Sequence, residues 1–138
     1  MENGGVSLED IYIAGIPDTF SGHFYGKNAD LEKTFAESGN NRYRILLSHT
    51  PTDSGRQNNF NLEISGHTHG GQVCVPFYGA LVTNCDLDPA RVKGLSTNSA
   101  GGKTSFLHVS AGLGTSPYAP FRFACRPEAT LLTLVPRV

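Results

Sequence analysis

Several features that mark familiar protein classes are missing from this chain of 138 residues. It contains no Trp, and its formal net charge of −1 leaves no basic excess of the kind that nucleic-acid-binding proteins carry. No apolar run approaches the roughly 18–20 residues that cross a bilayer. The first five residues are polar and lack the apolar stretch of a signal peptide. These absences predict a cytoplasmic protein without a nucleic-acid partner. They leave membrane association open, although this chain does not encode it.

Cysteine is scarce, and its spacing is uninformative. Cys74, Cys85 and Cys125 are odd in number and widely separated, so they fit neither a disulfide framework nor a CxxC metal clip. We therefore expect three reduced thiols, as is usual for cytoplasmic proteins.

What the chain does have is a pattern of short apolar segments separated by turns, with 16 Gly and 8 Pro. The length predicts one domain over residues 1–138. One helix is expected from residue 28 or 30 to about residue 38, and residues 84–102 are expected to be rich in loops. Apolar and β-branched composition predicts strands at residues 10–16, 43–48, 62–65, 104–110, 121–125 and 129–135.

The most informative segment is Ser65 to Gln72, with the sequence SGHTHGGQ. It places His67 and His69 two residues apart among small residues, directly after a predicted strand. His49 follows another predicted strand. Strand ends that each carry histidine can direct nitrogen ligands towards one point, so a metal site is expected here. The alternative is that these are ordinary loop or capping histidines.

Other polar residues have plainer interpretations. His23 lies outside any motif and is expected on a surface loop, and His108 is expected to pack within a strand or at its rim. Asp18 is expected to be structural. Arg122 and Arg126 are candidates for contact with a phosphate or for ordinary salt bridges.

Several segments together make the chain recognisable. Leu47 to Pro51 resembles the LSHxP segment of calcineurin-like metallophosphoesterases, and Ser65 to Gln72 resembles their SGHTHGGQ segment. The end of the chain is similar to that of a bacterial branch of small phosphodiesterases, some membrane-linked and some acting on lipid pyrophosphates. This similarity lies in Gly112 to Ser116, Arg122-Phe123, Arg126 to Glu128 and Leu131 to Leu134.

The resemblance implies an α/β (α+β) fold, rich in strands and loops: the C-terminal half of a two-sheet β-sandwich flanked by helices. It also implies a dinuclear metal site at strand ends. The first half of the family supplies Asp-x-His, Gly-Asp-x-x-Asp and Gly-Asn-His-Asp/Glu motifs, and this sequence contains none of them. The resemblance therefore covers the family's C-terminal half and implies only part of the site.

The resemblance also implies roles for individual residues. His49 and His67 would ligate one metal ion and His69 the other, while the backbone amides of Gly70 and Gly71 would approach a phosphate. Imidazole ligands favour Mn, Fe or Zn, and two ions are expected in the complete site. No catalytic residue is assigned within this chain.

The implied function is a phosphodiester or phosphomonoester hydrolase that uses metal-activated hydroxide, with weak or no activity in the isolated chain. The implied partners are a phosphate-ester substrate and either further copies of the chain or the missing N-terminal half. Two alternatives stay open. The chain could be a truncated or remnant domain that serves as a metal-binding or assembly module, or an independent mononuclear histidine-type metal hydrolase.

Overall fold

The computed structural model describes residues 3–18, 29–51, 59–83, 85–100 and 102–136. Strands dominate these residues, and the single α-helix among them is α1, Leu31–Phe35. Short 3₁₀ turns occupy His69–Gly71 and Pro89–Arg91. The strands are β1 Gly4–Leu8, β2 Ile11–Gly15, β3 Tyr43–Ser48, β4 Leu62–Ser65, β5 Cys74–Val75, β6 Gly79–Ala80, β7 Gly94–Ala100 and β8 Lys103–Val109.

Six strands form one mixed sheet in the order β1-β2-β3-β4-β8-β7, and β5 and β6 form a separate ribbon. The four central strands β2, β3, β4 and β8 run parallel to one another, and the edge strands β1 and β7 run antiparallel to them. Parallel strands end at the same edge of a sheet, so the loops that follow them gather there. The strand-rich α/β architecture expected from the sequence is confirmed.

One face of the sheet carries the core. The register aligns Ala14, Leu46, Glu63 and Leu107 in one row across the four central strands, and each of these side chains is 0% exposed. Two apolar clusters cover this row. The first joins β2 and β3 to the helix through Tyr12, Phe35 and Phe60, and the second joins β8 to the 80–92 segment through Ala80, Leu87 and Val92.

The opposite face is only partly covered. Ile45 and Leu62 in its middle are buried, at 6% and 4% exposure. Around them lie exposed apolar side chains that point to the same face by register: Val6, Leu47, Leu95 and Phe106. An apolar surface of this kind on a sheet indicates an interaction site.

The helix is shorter than predicted. Asp30 caps α1, because its carboxylate accepts a 2.9 Å hydrogen bond from the backbone N–H of Lys33. The α-helical residues end at Phe35, and a turn continues to Ser38. Among the described residues, no helix is long and apolar enough to span a membrane.

Three of the predicted elements are wrong. Residues 94–100, expected to be loop, form strand β7, because pairing with β8 supplies the hydrogen bonds that the polar composition does not suggest. Residues 121–125 and 129–135, expected to be strands, form none in the structure. Phe123 alone makes an isolated bridge, to Val73. Apolar β-branched composition indicates an extended preference, but a strand also needs an edge to pair with.

Candidate metal centre

The candidate site lies at the edge where the parallel strands end. His49 directly follows β3, and the SGHTHGGQ segment begins at the last residue of β4. A 3.0 Å hydrogen bond from the backbone N–H of Gly66 to the carbonyl of His49 joins the two strand ends. Ligand sites in open α/β sheets occupy this position, outside the carboxyl ends of the strands.

The imidazoles of His49 and His67 are in direct contact. Nε2 of His49 lies 3.3 Å from Nδ1 of His67, and the two rings meet edge to face with centroids 5.1 Å apart. Two nitrogens bound at ~2.0–2.1 Å to one tetrahedral ion would be about 3.3 Å apart, so this spacing fits one edge of a transition-metal coordination shell. His49 is exposed and His67 half-buried, so the pair is open to solvent.

Unusual backbone geometry orients the histidine segment. His67, His69 and Gln72 all have positive φ, at 64°, 51° and 54°, in a region that non-glycine residues rarely occupy. The buried Thr68 secures the turn, since its hydroxyl donates to the carbonyl of Val92 at 2.8 Å and accepts from the amide of Gly70. Strained residues held by their surroundings in this way are a feature of functional sites.

His69 lies in an environment that disfavours its protonated form. Burial lowers its pKa, and the nearby Arg122 guanidinium lowers it further, while a hydrogen bond with the Gly114 backbone acts in the opposite direction. A lowered pKa favours the neutral imidazole, which is the form that ligates metals.

Arg122 is the residue whose role sequence reasoning missed. Its guanidinium donates hydrogen bonds to backbone carbonyls. The acceptors are His69 at 2.9 Å, Ala111 at 2.7 Å, Gly112 at 3.1 Å and Gly114 at 2.5–3.0 Å. It therefore fixes the backbone behind His69, and contact of Arg122 with a phosphate stays a prediction. Acceptors of this kind are invisible in a sequence, because every residue carries a carbonyl.

Gly70 and Gly71 are buried, and their amides are engaged within the turn. Gly70 donates to the Thr68 hydroxyl at 3.2 Å, and Gly71 donates to the Thr68 carbonyl at 2.7 Å. A Cβ atom on Gly70 would lie 2.7 Å from the sulfur of Cys125, so close packing also requires glycine here. A phosphate contact through these amides would require the turn to rearrange, and it stays a prediction.

The remaining candidates have other surroundings. Asp18, at the same edge of the sheet, accepts a 2.7 Å hydrogen bond from the hydroxyl of Thr50. His108 is buried within β8, Arg126 is exposed, and His23 lies outside the described residues. Within the part of the chain that the structure describes, no three His, Cys, Asp or Glu side chains are grouped closely enough to hold a metal ion. The donor set therefore fits a two-nitrogen portion of a metal site.

Comparison with known proteins identifies the class. An uncharacterized metallophosphoesterase of Bacillus subtilis, YkuE, is 34% identical over 134 residues, covering 94% of this chain and 43% of that protein. The Escherichia coli phosphodiesterase YaeI is 35% identical over 67% of the chain and 32% of its own length. The UDP-2,3-diacylglucosamine pyrophosphatase LpxG of Chlamydia trachomatis is 29% identical over 96% of the chain and 40% of its own length. The chain matches no protein-family model and no solved structure.

The chain belongs to the calcineurin-like metallophosphoesterases, as its histidine motifs suggested. It spans less than half the length of each of these three relatives.

Proposed function

We propose that this chain contributes part of the metal site of a phosphoesterase that hydrolyses phosphodiester or phosphomonoester bonds. The observation that carries the proposal is the contact between Nε2 of His49 and Nδ1 of His67, at the ends of adjacent parallel strands. The names of the relatives, which include a phosphodiesterase and a pyrophosphatase, support hydrolysis of phosphate esters or anhydrides as the general chemistry.

Within this proposal, the side chains have distinct roles. His49 and His67 would hold one Mn, Fe or Zn ion through the two facing nitrogens, and His69 would bind a second ion. Thr68 and Arg122 do not touch the ions but hold the strained backbone that presents His67 and His69. When bound, the two ions would supply positive charge for a phosphate ester and a means of activating water near neutral pH.

Metal titration tests the proposal directly. Wild-type chain is titrated with Mn²⁺ or Zn²⁺ by calorimetry, beside His67→Ala and His49→Ala. Each substitution removes a nitrogen of the pair, so affinity should fall at least about tenfold, which corresponds to ~1.4 kcal/mol. His23→Ala is the control, because it also removes a histidine, but one that lies outside the motifs. This variant should bind metal as the wild type does. Equal affinity in all four proteins would refute the metal assignment.

Activity of the isolated chain should be very low. Two adjacent metal ions would need carboxylate ligands beside the histidines, and the segments that resemble the family provide none. We expect hydrolysis of bis-p-nitrophenyl phosphate barely above background even with excess Mn²⁺, because each ~1.4 kcal/mol of lost transition-state stabilisation reduces the rate tenfold. Addition of a polypeptide carrying the missing family motifs should restore activity. Strong turnover by the chain alone, abolished by His69→Ala, would show that a local carboxylate completes the site.

A second candidate function is an assembly module without catalysis. The partly bare sheet face favours it, since Leu47, Leu95 and Phe106 present an apolar surface suited to a covering layer. We propose that this layer is a second copy of the chain or the remaining half of a longer phosphoesterase. Metal binding together with association would support the first function, whereas association without metal binding would support the second.

A further inference from the structure

Two cysteine side chains meet behind the histidine turn. The sulfur of Cys74 lies 3.3 Å from the carbonyl oxygen of Gly70, and the sulfur of Cys125 lies 3.0 Å from the same oxygen. The separation of the two sulfurs therefore cannot exceed the sum of these distances. Burial raises the pKa of the Cys74 thiol, and the neighbouring Cys125 raises it further. Both are free thiols in this structure.

The backbones that carry these cysteines are already paired. The amide of Cys74 donates to the carbonyl of Phe123 at 2.9 Å, and the amide of Phe123 donates to the carbonyl of Gln72 at 3.0 Å. Phe123 lies two residues before Cys125, so this pairing holds the two cysteine-bearing segments side by side. Formation of the disulfide then requires the two side chains to rotate towards each other.

The pair is also accessible. Cys125 is buried at 6% exposure, but Cys74 is only half-buried. Both line an open pocket of about 660 Å³, whose wall includes Phe77, Lys93 and Arg126. A small oxidant can therefore reach Cys74 first, with Cys125 placed as its resolving partner.

We propose that Cys74 and Cys125 are a redox-active dithiol that closes to a disulfide on exposure to a peroxide. The peroxide transfers one oxygen to the Cys74 sulfur, which gives a sulfenic acid and releases water from hydrogen peroxide. The Cys125 sulfur then attacks the Cys74 sulfur, and the departing hydroxide takes the Cys125 proton as a second water. Two thiols and one peroxide thus yield one disulfide and two waters, and a thiol reductant reverses the reaction.

Formation of the disulfide should change the hydrogen bonding of the turn that carries His67 and His69. The Gly70 carbonyl accepts hydrogen bonds from both thiols, and it loses both donors when the disulfide forms. The Cys125 sulfur also fills the space beside Gly70 that a Cβ would need. The Gly70 peptide, which directly follows His69, therefore changes its surroundings with the redox state. This inference does not depend on metal binding or hydrolysis.

Thiol counting and mass spectrometry of the full chain test the proposal. After stoichiometric hydrogen peroxide, the wild type should lose two alkylatable thiols and two hydrogens, and a peptide map should join Cys74 to Cys125. Cys85→Ser is the matched control, because it removes the third thiol and should give the same disulfide. Cys74→Ser and Cys125→Ser should each form no intramolecular disulfide. Dithiothreitol should restore both thiols.

A second readout concerns the coupling to the turn. In ¹H–¹⁵N spectra, the amide signals of His69, Gly70 and Gly71 should move on oxidation of the Cys85→Ser protein, whereas that of Val6 in the distant edge strand should not. A disulfide that involves Cys85 in the wild type, or three alkylatable thiols after peroxide treatment, would overturn the proposal. Unmoved Gly70 signals despite a Cys74–Cys125 disulfide would overturn its effect on the turn.

Discussion

The two faces of the six-stranded sheet differ in how they are packed, although the same strands build both. Leu46 and Leu47 show the difference most directly, because they are adjacent and chemically identical. Leu46 is 0% exposed on the face that α1 covers, and Leu47 is 38% exposed on the other. The covered face anchors the strands whose ends carry His49 and His67. The other face has apolar composition without a complete cover, and the covering layer proposed above would contact it.

The largest expected effect separates these faces. Leu46→Ala should destabilise the chain by about 2–5 kcal/mol, because it leaves a cavity in a packed core. Leu47→Ala removes the same atoms from a partly solvated position and should cost less than about 1 kcal/mol in the monomer. Urea unfolding of both variants measures the contrast. Similar losses at low protein concentration would show that the second face is packed as tightly as the first.

A second prediction sharpens the comparison by testing what covers the other face. If copies of the chain associate through it, Phe106→Asp should weaken association at least tenfold, because burying a Phe side chain contributes about 1.5–3 kcal/mol. Phe106 is 45% exposed on this face. The matched control is Leu131→Asp, a 92% exposed apolar residue outside the sheet, which should leave association unchanged.

Sedimentation over a range of concentrations measures this association. A wild type that remains a compact monomer at high concentration would rule out a second copy as the cover. The remaining half of a longer phosphoesterase would then be the occupant to test, by mixing in the polypeptide that carries the missing motifs.

The elements predicted best from the sequence are those whose own composition indicates how they are buried. Strands β3, Tyr43–Ser48, and β4, Leu62–Ser65, match the predicted bounds, because compact apolar runs suit buried parallel strands. Strand β7 was missed because its residues, GLSTNSA, are mostly small and polar. Its polar side chains on the covered face bond locally instead of packing apolarly, since Arg91 donates to Ser96 and Asn98.

The candidate site was likewise predictable only in part. The approach of His49 to His67 follows from two histidines at the ends of strands that proved to be adjacent. The supports around them could not be predicted, because Arg122 binds backbone carbonyls and because Cys74 and Cys125 lie 51 positions apart, with no spacing rule to join them. Residues that belong to a motif can be recognised in the sequence. Contacts that depend on the path of the folded chain cannot.

A third prediction tests whether Arg122 holds the backbone behind His69 in place. Arg122→Lys keeps the charge but loses the planar fork that reaches the carbonyls of His69, Ala111 and Gly114. We expect a loss of about 1–3 kcal/mol in stability, since partly buried carbonyls lose charge-assisted hydrogen bonds. Broadened amide signals confined to the His69 turn and the 111–114 loop would support this role. The matched control is Arg126→Lys, at an exposed position, which should change neither the stability nor these amide signals.

The smallest expected effect concerns the ion pair between Lys93 and Glu128. Lys93 and Glu128 form a 2.8 Å ion pair, and the Lys93 ammonium lowers the pKa of the Glu128 carboxyl from its ordinary value of 4.5. Because the folded-state pKa is below the unfolded one, the pair stabilises the fold above about pH 4.5 and loses this effect as the pH falls through the lowered pKa. Both side chains are partly exposed, so the contribution should stay below about 1 kcal/mol. The stability difference between wild type and Glu128→Gln should therefore be small at pH 7, fall further in high salt, and disappear in acid. A difference that grows on acidification would show that the carboxyl is stabilised in its protonated form, contrary to the direct contact with Lys93.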